Sequence, residues 1–302
     1  MREWIRALMD AGYEAGQLRE GQPMCELTTM KVGGPVDLAV FPRTREQVLV
    51  ALEAAKQLGC PCLVVGGGSN LIVRDGGIRG MAIVLSEGFC RATRDGCTIT
   101  AEAGARLSAV GSMALTANLS GFEFACGIPG TVGGAVAMNA GAYGGQIADC
   151  LLWADFLREG KVYRAGAKEL ELGYRSSRIL KEGLIVLSAC FALKPGDGEA
   201  ILGRMNELAA SRRDKQPLDH PSSGSTFKRP QGHFAGALIQ QAGLKGYCIG
   251  GAQVSEKHAG FVINRGGATA RDVLELIGQV QEKVLAVSGI RLECEVRVVG
   301  ED

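Results

Sequence analysis

The stretch GIPGTVGGAVAMNAGAYGG, residues 127–145, constrains this chain more than any other. It holds seven glycines, at 127, 130, 133, 134, 141, 144 and 145. Glycine loses the most conformational freedom on ordering, so the segment is expected to form neither an ordinary helix nor an ordinary strand. What it offers is bare backbone that can press against a flat, extended ligand. A second glycine stretch, VVGGGSNLIV, follows a run of buried-strand character. Gly66 and Gly68 satisfy G-x-G, but Leu71 stands at the third position of the dinucleotide fingerprint, and the loop leads into a strand-like run. A Rossmann loop opens a helix instead, so that fingerprint fails. Consecutive glycines still expose N–H groups that can form an anion-binding nest, with Ser69 and Asn70 as added hydrogen-bonding groups. A tight glycine turn is the alternative. Two separated glycine cradles fit a large dinucleotide, and flavin is the natural candidate.

A chain of 302 residues is long for one core and predicts two or three packed units. Lys and Arg number 33 against 32 Asp and Glu, a net charge of +1. That balance leaves no footprint for nonspecific nucleic-acid or membrane binding. Ten cysteines lack any C-x-x-C pair, and Cys60-Pro61-Cys62 is too tight for a zinc knuckle. The start, MREWIRALMD, is charged and amphipathic and does not read as a secretory leader. The longest apolar run, LIVLSACFAL, is far short of the roughly 20 residues of a spanning helix. The expectation is a reduced, cytoplasmic protein with mostly buried thiols and no metal.

The elements alternate without a repeat or linker, which reads as an α+β class. VDLAVFP predicts a strand, and TREQVLVALEAAKQLG a helix capped by Thr44 with Gln47 three residues on. Its face is expected to be Val48, Leu52, Ala55 and Leu58, and Gly59 should end it. With CLVV as the next strand this is a β-α-β unit. DCLLWADFL and KVYRAG flank REGK, a hairpin signal. Helix signals run from Asp197 to Lys215, where Pro217 stops them. The strongest helix is TARDVLELIGQVQEKVLAVSG. Thr269 and Asp272 form its capping box, Gly289 closes it, and Val273, Ile277, Val280, Val284 and Val287 make the apolar stripe. In RLECEVRVV, Leu292, Cys294, Val296 and Val298 share one face and Arg291, Glu293, Glu295 and Arg297 the other.

Three histidines (His220, His233, His258) and no H-E-x-x-H leave little room for metal chemistry, and a Walker motif is absent. Ser225 in HPSSGSTFKRP lacks the G-x-S-x-G elbow and any sign of a His–Asp relay, which disfavours a nucleophile. A loop hydroxyl bonded to backbone is the plain reading of it. By residue type alone, Arg175 is a surface arginine at a turn and Glu295 a strand carboxylate beside Arg297. The basic residues Arg212, Arg213 and Lys215 read as a solvated helix end.

Taken in order, TTMKVGGPVDLAVFP, VVGGGSNLIV, GIPGTVGGAVAMNAGAYGG, GYRSSR, SGSTFKRP, AGFVINRGGATARDV and LECEVRV span nearly the whole chain. Together they resemble the UDP-N-acetylenolpyruvoylglucosamine reductases, also called UDP-N-acetylmuramate dehydrogenases, in the shorter form without an extra tyrosine-bearing loop. The resemblance implies a two-subdomain FAD-binding region of the vanillyl-alcohol-oxidase type and a C-terminal α+β substrate-binding domain. The expected division is residues 1–85 completed by 291–302, then 86–205, then 206–290. It further implies FAD as cofactor and NADPH and UDP-N-acetylglucosamine enolpyruvate as small-molecule partners, with no nucleic acid or membrane. An FAD-dependent oxidase of the same fold family is the alternative, and a noncatalytic flavin- or nucleotide-sugar-binding module is another. Covalent flavin is often held through histidine, and the glycine cradles contain none.

By the same resemblance, hydride passes from reduced flavin to the terminal carbon of the enolpyruvyl double bond. Charge then spreads from the adjoining carbon into the carboxylate. Arg175 would grip that carboxylate with its planar fork, Glu295 would hydrogen-bond it in protonated form, and Ser225 would protonate the carbon. Cofactor contacts are expected at Gly66, Gly67, Gly68, Ser69, Asn70, Gly127, Ile128, Pro129, Gly130, Val132, Gly133, Gly134, Ala135, Asn139, Gly141 and Ala142. Tyr174, Lys215 and Arg229 are the expected substrate contacts, Lys215 on the diphosphate and Arg229 on the uridine side. Cys294 replaces a proline frequent in the family, and its side chain should face the core, opposite Glu295.

Overall fold

Capping chemistry sets the helices where the sequence predicts them. The computed structural model describes residues 1–302. Helix Arg45–Gln57 starts at Thr44, whose hydroxyl accepts the Gln47 N–H at 3.2 Å. Val48, Ala51 and Ala55 are its buried residues, and Leu58 is exposed because it caps the helix end and no longer follows the core stripe. Helix Ala270–Ser288 carries the full capping box, with both Thr269–Asp272 bonds at 3.0 Å, and ends at Gly289 with φ +70°. Asp75, far away in sequence, also accepts the N–H groups of Ala270 and Arg271 at 2.8 and 2.9 Å. Three otherwise orphaned donors of the first turn are thus satisfied. Val287 lies beyond the buried stripe and is exposed.

The chain falls into two compact units. The first comprises Met1–Arg19, Leu38–Gly67 and Met81–Arg212. Its largest element is a five-stranded antiparallel sheet in the order Lys161–Gly166, Leu151–Arg158, Ile185–Ala192, Thr98–Glu102 and Ala92–Asp95. The predicted hairpin joins the first two strands through Glu159 and Gly160, both at positive φ (51° and 75°). That geometry matches the right-handed twist of the strands. In the sheet order Leu18–Pro23, Pro35–Val40, Ile78–Val84, Cys62–Val65, a third strand stands between the two strands of the expected β-α-β unit. Helices Leu107–Thr116 and Val132–Met138 pack on the core around Ile99, Phe122, Val132 and Phe191.

The second unit comprises Glu20–Asp37, Gly68–Gly80 and Arg213–Asp302. It holds a four-stranded antiparallel sheet in the order Ser222–Ser225, Phe261–Asn264, Ala252–Val254, Cys248–Ile249. Val273, Leu276, Ile277, Val280 and Val284 of the long helix are buried in its core. The alternating C-terminal segment becomes a regular strand only at Arg297–Val299, parallel to Leu71–Val73. Leu292 and Val296 are buried as the alternation requires, whereas Val298 at the last turn of pairing is exposed.

The thiols depart from expectation. Cys60, Cys150 and Cys190 are buried, but Cys62, Cys90, Cys97 and Cys248 are exposed. Turns and strand ends place these four outside the cores, where a small residue meets no packing demand. No helix is long and apolar enough to cross a membrane.

One buried charge ties the first unit together. Asp155 is 5% exposed and accepts Arg164 Nε at 2.7 Å, Arg45 Nη2 at 2.8 Å and Ser188 Oγ at 3.2 Å. Burial by itself would raise its pKa. The bonds from Arg164 and Arg45 and their charges outweigh burial and hold it below the usual carboxylate range. Asp155→Asn should therefore cost about 2 kcal/mol at pH 7. A carboxyl depressed on folding contributes stability above its unfolded pKa of about 3.9 and loses it as pH falls through the lower folded value. Urea unfolding across pH 7 to 2 should show the wild-type advantage shrinking below about pH 4.

Candidate functional site

In the first unit the two glycine stretches meet. A Cβ on Gly66 would collide with Thr131 Oγ1, and one on Gly67 would lie 3.2 Å from Gly130 Cα. A Cβ on Gly133 would lie 2.8 Å from Ala103 Cβ. The start of helix Val132–Met138 is tied down by Val132 N–H to Ala105 O and Gly133 N–H to Ala103 O, both 2.8 Å. Gly67, Gly127, Pro129 and Gly134 remain exposed, and Ile128, Gly130 and Gly133 half-buried. Val132 and Ala135 are buried, and their N–H groups are bonded to Ala105 O and Thr131 O.

Two groups beside this surface were not assigned from sequence. Thr131, skipped between Gly130 and Val132, is 4% exposed and its Oγ1 has no hydrogen-bond partner in the protein. Arg212 lies against Gly127, where a Cβ would sit 2.6 Å from Nη1 and 3.3 Å from Cδ. Burial lowers the Arg212 pKa, and the nearby Tyr143 hydroxyl opposes that shift. A side-chain-free backbone surface, an orphaned hydroxyl and an adjacent guanidinium fit an extended ligand carrying an anionic pyrophosphate. These residues therefore fit FAD.

The Gly173–Ser176 turn carries Tyr174 and Arg175 in the same unit. Arg175 has φ +50°, and its Nη2 donates to Gly141 O at 3.3 Å. Its guanidinium carbon lies 5.4 Å from the Tyr174 ring centroid, with Tyr174 itself exposed. Gly141 and Ala142 are half-buried in a short ribbon with Gly145 and Gln146. Asn139 is 2% exposed and its amide is engaged by protein groups.

The second unit brings Ser225 and Glu295 together through backbone. Ser225 pairs with Phe261 at the end of its strand, after Gly224 at φ +73°. The next residue, Thr226, accepts the Glu295 N–H at 2.8 Å, and Lys228 N–H reaches Glu293 O at 2.8 Å. Asn70 Nδ2 donates to Glu295 O at 3.1 Å, and Arg297 N–H to Asn70 O at 3.0 Å. Asn70 of the VVGGGSNLIV stretch thus bonds on either side of Val296, to Glu295 and Arg297, with half-buried Ser69 alongside in sequence. A Cβ on Gly68, at φ +60°, would collide with Leu27 O. Ser225 and Glu295 are half-buried, while Lys215 and Arg229 are exposed. The Arg229 guanidinium lies over Phe234, 4.9 Å from its centroid. The histidines keep local company: His220 lies 3.6 Å from Asp219, and His258 Nδ1 accepts the Gly260 N–H at 3.1 Å.

Glycine-walled backbone, α+β architecture and a polar cluster around Asn70 define a flavin-dinucleotide-binding oxidoreductase. Residues 36–166 match the model of the FAD binding domain, and residues 216–299 that of the UDP-N-acetylenolpyruvoylglucosamine reductase C-terminal domain. The UDP-N-acetylenolpyruvoylglucosamine reductase of Clostridium botulinum is 50% identical over 98% of both chains. That of Streptococcus uberis is 54% identical over 94% of both. The crystal structure of the Thermus caldophilus enzyme superposes with a TM-score of 0.80 at 38% identity, covering 93% of this chain and 99% of that one. This chain belongs to the UDP-N-acetylenolpyruvoylglucosamine reductase family. It is an FAD-dependent oxidoreductase of that family, not one of the oxidases that share the FAD-binding fold.

Two variants probe this geometry. Thr131→Val keeps shape and deletes the orphaned hydroxyl, so apoprotein stability should hold or rise. FAD affinity, read by titrating apoprotein, should fall roughly tenfold. Cys294→Pro should retain turnover. The bridge between Phe227 and Cys294 uses donors from Lys228 and Glu295 on either side of it. The Cys294 side chain packs on the second core, 3.8 Å from Gln281 Nε2, opposite Glu295. A loss of turnover beyond threefold would show that this strand position reaches the chemistry.

Proposed function

We propose that this protein reduces the enolpyruvyl group of UDP-N-acetylglucosamine enolpyruvate to give UDP-N-acetylmuramate, a peptidoglycan precursor, in the cytoplasm, with NADPH as reductant. FAD held by the two glycine cradles would supply the hydride that the terminal carbon of the enolpyruvyl double bond takes up, with NADPH as the source of its electrons. Ser225 gives its hydroxyl proton to the adjoining carbon. The Arg175 guanidinium and the protonated Glu295 carboxyl hold the substrate carboxylate, into which the developing charge spreads. Tyr174, Lys215 and Arg229 bind the nucleotide part of the substrate, with Lys215 on the diphosphate. The glycine residues of both cradles, with Ser69, Asn70, Ile128, Pro129, Ala142 and the backbone of Val132 and Ala135, hold the cofactor.

The observation that carries this reading is the backbone link of Ser225 to Glu295 through the Thr226 carbonyl. A donor and a carboxyl fixed by strand pairing suit a step that needs position more than activation. The three-part division at 1–85 with 291–302, 86–205 and 206–290 belongs to the same proposal. The parallel pairing of Arg297–Val299 with Leu71–Val73 supports it, as does a five-stranded sheet confined to residues 92–192.

The purified protein should be yellow and release FAD, not FMN, on acid denaturation. NADPH should bleach it, and the enolpyruvyl sugar nucleotide should restore colour much faster than air does. Ser225→Ala, Arg175→Ala and Glu295→Ala should each lower kcat by about 10²- to 10³-fold with FAD retained. Survival of full turnover in all three folded variants would overturn the assigned roles.

A further inference from the structure

Arg175 occupies a backbone region that side-chain-bearing residues avoid, so the structure around it has to enforce that conformation. The Gly173–Ser176 turn closes on itself, with Gly173 N–H to Ser176 O at 2.9 Å and Ser176 N–H to Gly173 O at 3.3 Å. Gly173 O accepts a second bond, from Asn139 Nδ2 at 3.0 Å. Ser177 Oγ donates to Ala137 O at 2.6 Å, two residues before Asn139. The Arg175 guanidinium reaches Gly141 O, two residues after it. The turn is therefore clamped onto residues 137–141 from three directions.

Asn139 ends the Val132–Met138 helix in the left-handed conformation, φ 41° and ψ 57°. Asparagine tolerates that conformation better than most residues. The second bond of its Nδ2 goes to Gln146 Oε1 at 3.0 Å, and its Oδ1 accepts the Ala148 N–H at 2.9 Å. Both amide donors are used inside the protein, at a residue with almost no exposed surface. We infer that Asn139 is a positioning residue for Arg175 and not a contact of the cofactor. The inference rests on the proposed role of Arg175.

The test uses the FAD-loaded enzyme with Asn139→Asp and Asn139→Gly, each alone and combined with Arg175→Lys. Asn139→Asp sets an acceptor against Gly173 O. Asn139→Gly keeps the left-handed backbone at little cost and carries the test if the aspartate variant does not fold. Each Asn139 variant should lower kcat by about 10- to 100-fold, the scale of a misplaced catalytic group. The Kd for FAD, from fluorescence titration of apoprotein, and the KM for NADPH should stay within about twofold of wild type. In the Arg175→Lys background the Asn139 changes should cause no further fall in kcat, because they act through the guanidinium. A tenfold weaker FAD affinity with kcat intact at saturating FAD would overturn the inference, as would independent, multiplying losses in the double variants. Full turnover in Arg175→Lys and Arg175→Ala alike would overturn the reading of Arg175 itself. The FAD titration of the Asn139 variants would then still decide between positioning within the protein and cofactor contact.

Discussion

The contact of Gly66 and Gly67 with Gly130 and Thr131 is the constraint on which the first unit depends. At Gly67 the two backbones approach directly, a Cβ there lying 3.2 Å from Gly130 Cα, and at Gly66 the missing Cβ makes room for Thr131 Oγ1. That approach fixes where the Val132–Met138 helix begins, because Val132 and Gly133 must also reach the carbonyls of Ala105 and Ala103. A seven-residue helix leaves little slack. Its far end, Asn139, therefore arrives at a set place, and there it meets the turn that carries Arg175. The glycine surface suited to the cofactor and the turn that carries Arg175 thus meet opposite ends of one short helix.

The second unit reaches the same kind of precision by different means. Ser225 and Glu295 are distant in sequence, and hydrogen bonds between backbones set where their side chains start. Antiparallel pairing from Thr226 to Lys228 against Glu293 to Glu295 sets their spacing. The Val262 N–H bond to Thr226 Oγ1 locks the middle of that pairing from the sheet side. Backbone ladders tolerate little displacement without breaking several bonds together, which makes them better supports for a reacting group than a surface ion pair.

Local chemistry explains what could be read from the sequence. Thr44 with Gln47, Thr269 with Asp272, Gly289 and the Glu159–Gly160 turn all act within four residues of the feature they control. Asp75 supports the same long helix from a loop whose partners sequence cannot reveal. Apolar periodicity overshot at Leu58 and Val287 because a stripe does not register where burial ends. The same limit shaped the site. Glycine spacing points to both cradles but not to Thr131, whose orphaned hydroxyl is visible only in three dimensions. Arg212 belongs to the basic helix end that sequence marks as solvated, whereas the missing Cβ at Gly127 lets its half-buried side chain lie against that backbone. The resemblance implies a cofactor contact at Asn139, and sequence could not show that its amide bonds Gly173, Gln146 and Ala148.

The serine raised the sharpest ambiguity in the sequence, and the fold narrows it by chemistry. A nucleophilic serine needs a base oriented by a third group. His220 is matched to its neighbour Asp219, and His258 accepts a backbone N–H within its own turn while burial lowers its pKa. Neither arrangement serves Ser225. Protonating carbon asks for something else: a hydroxyl held at one face of a carbon whose charge is already stabilised. Gly224 at positive φ and the shift of register between Ser222 and Ser225 bend the strand while its last residue, Ser225, still pairs with Phe261. A serine on a paired strand has position without a base, which suits the proposed proton transfer and not nucleophilic attack.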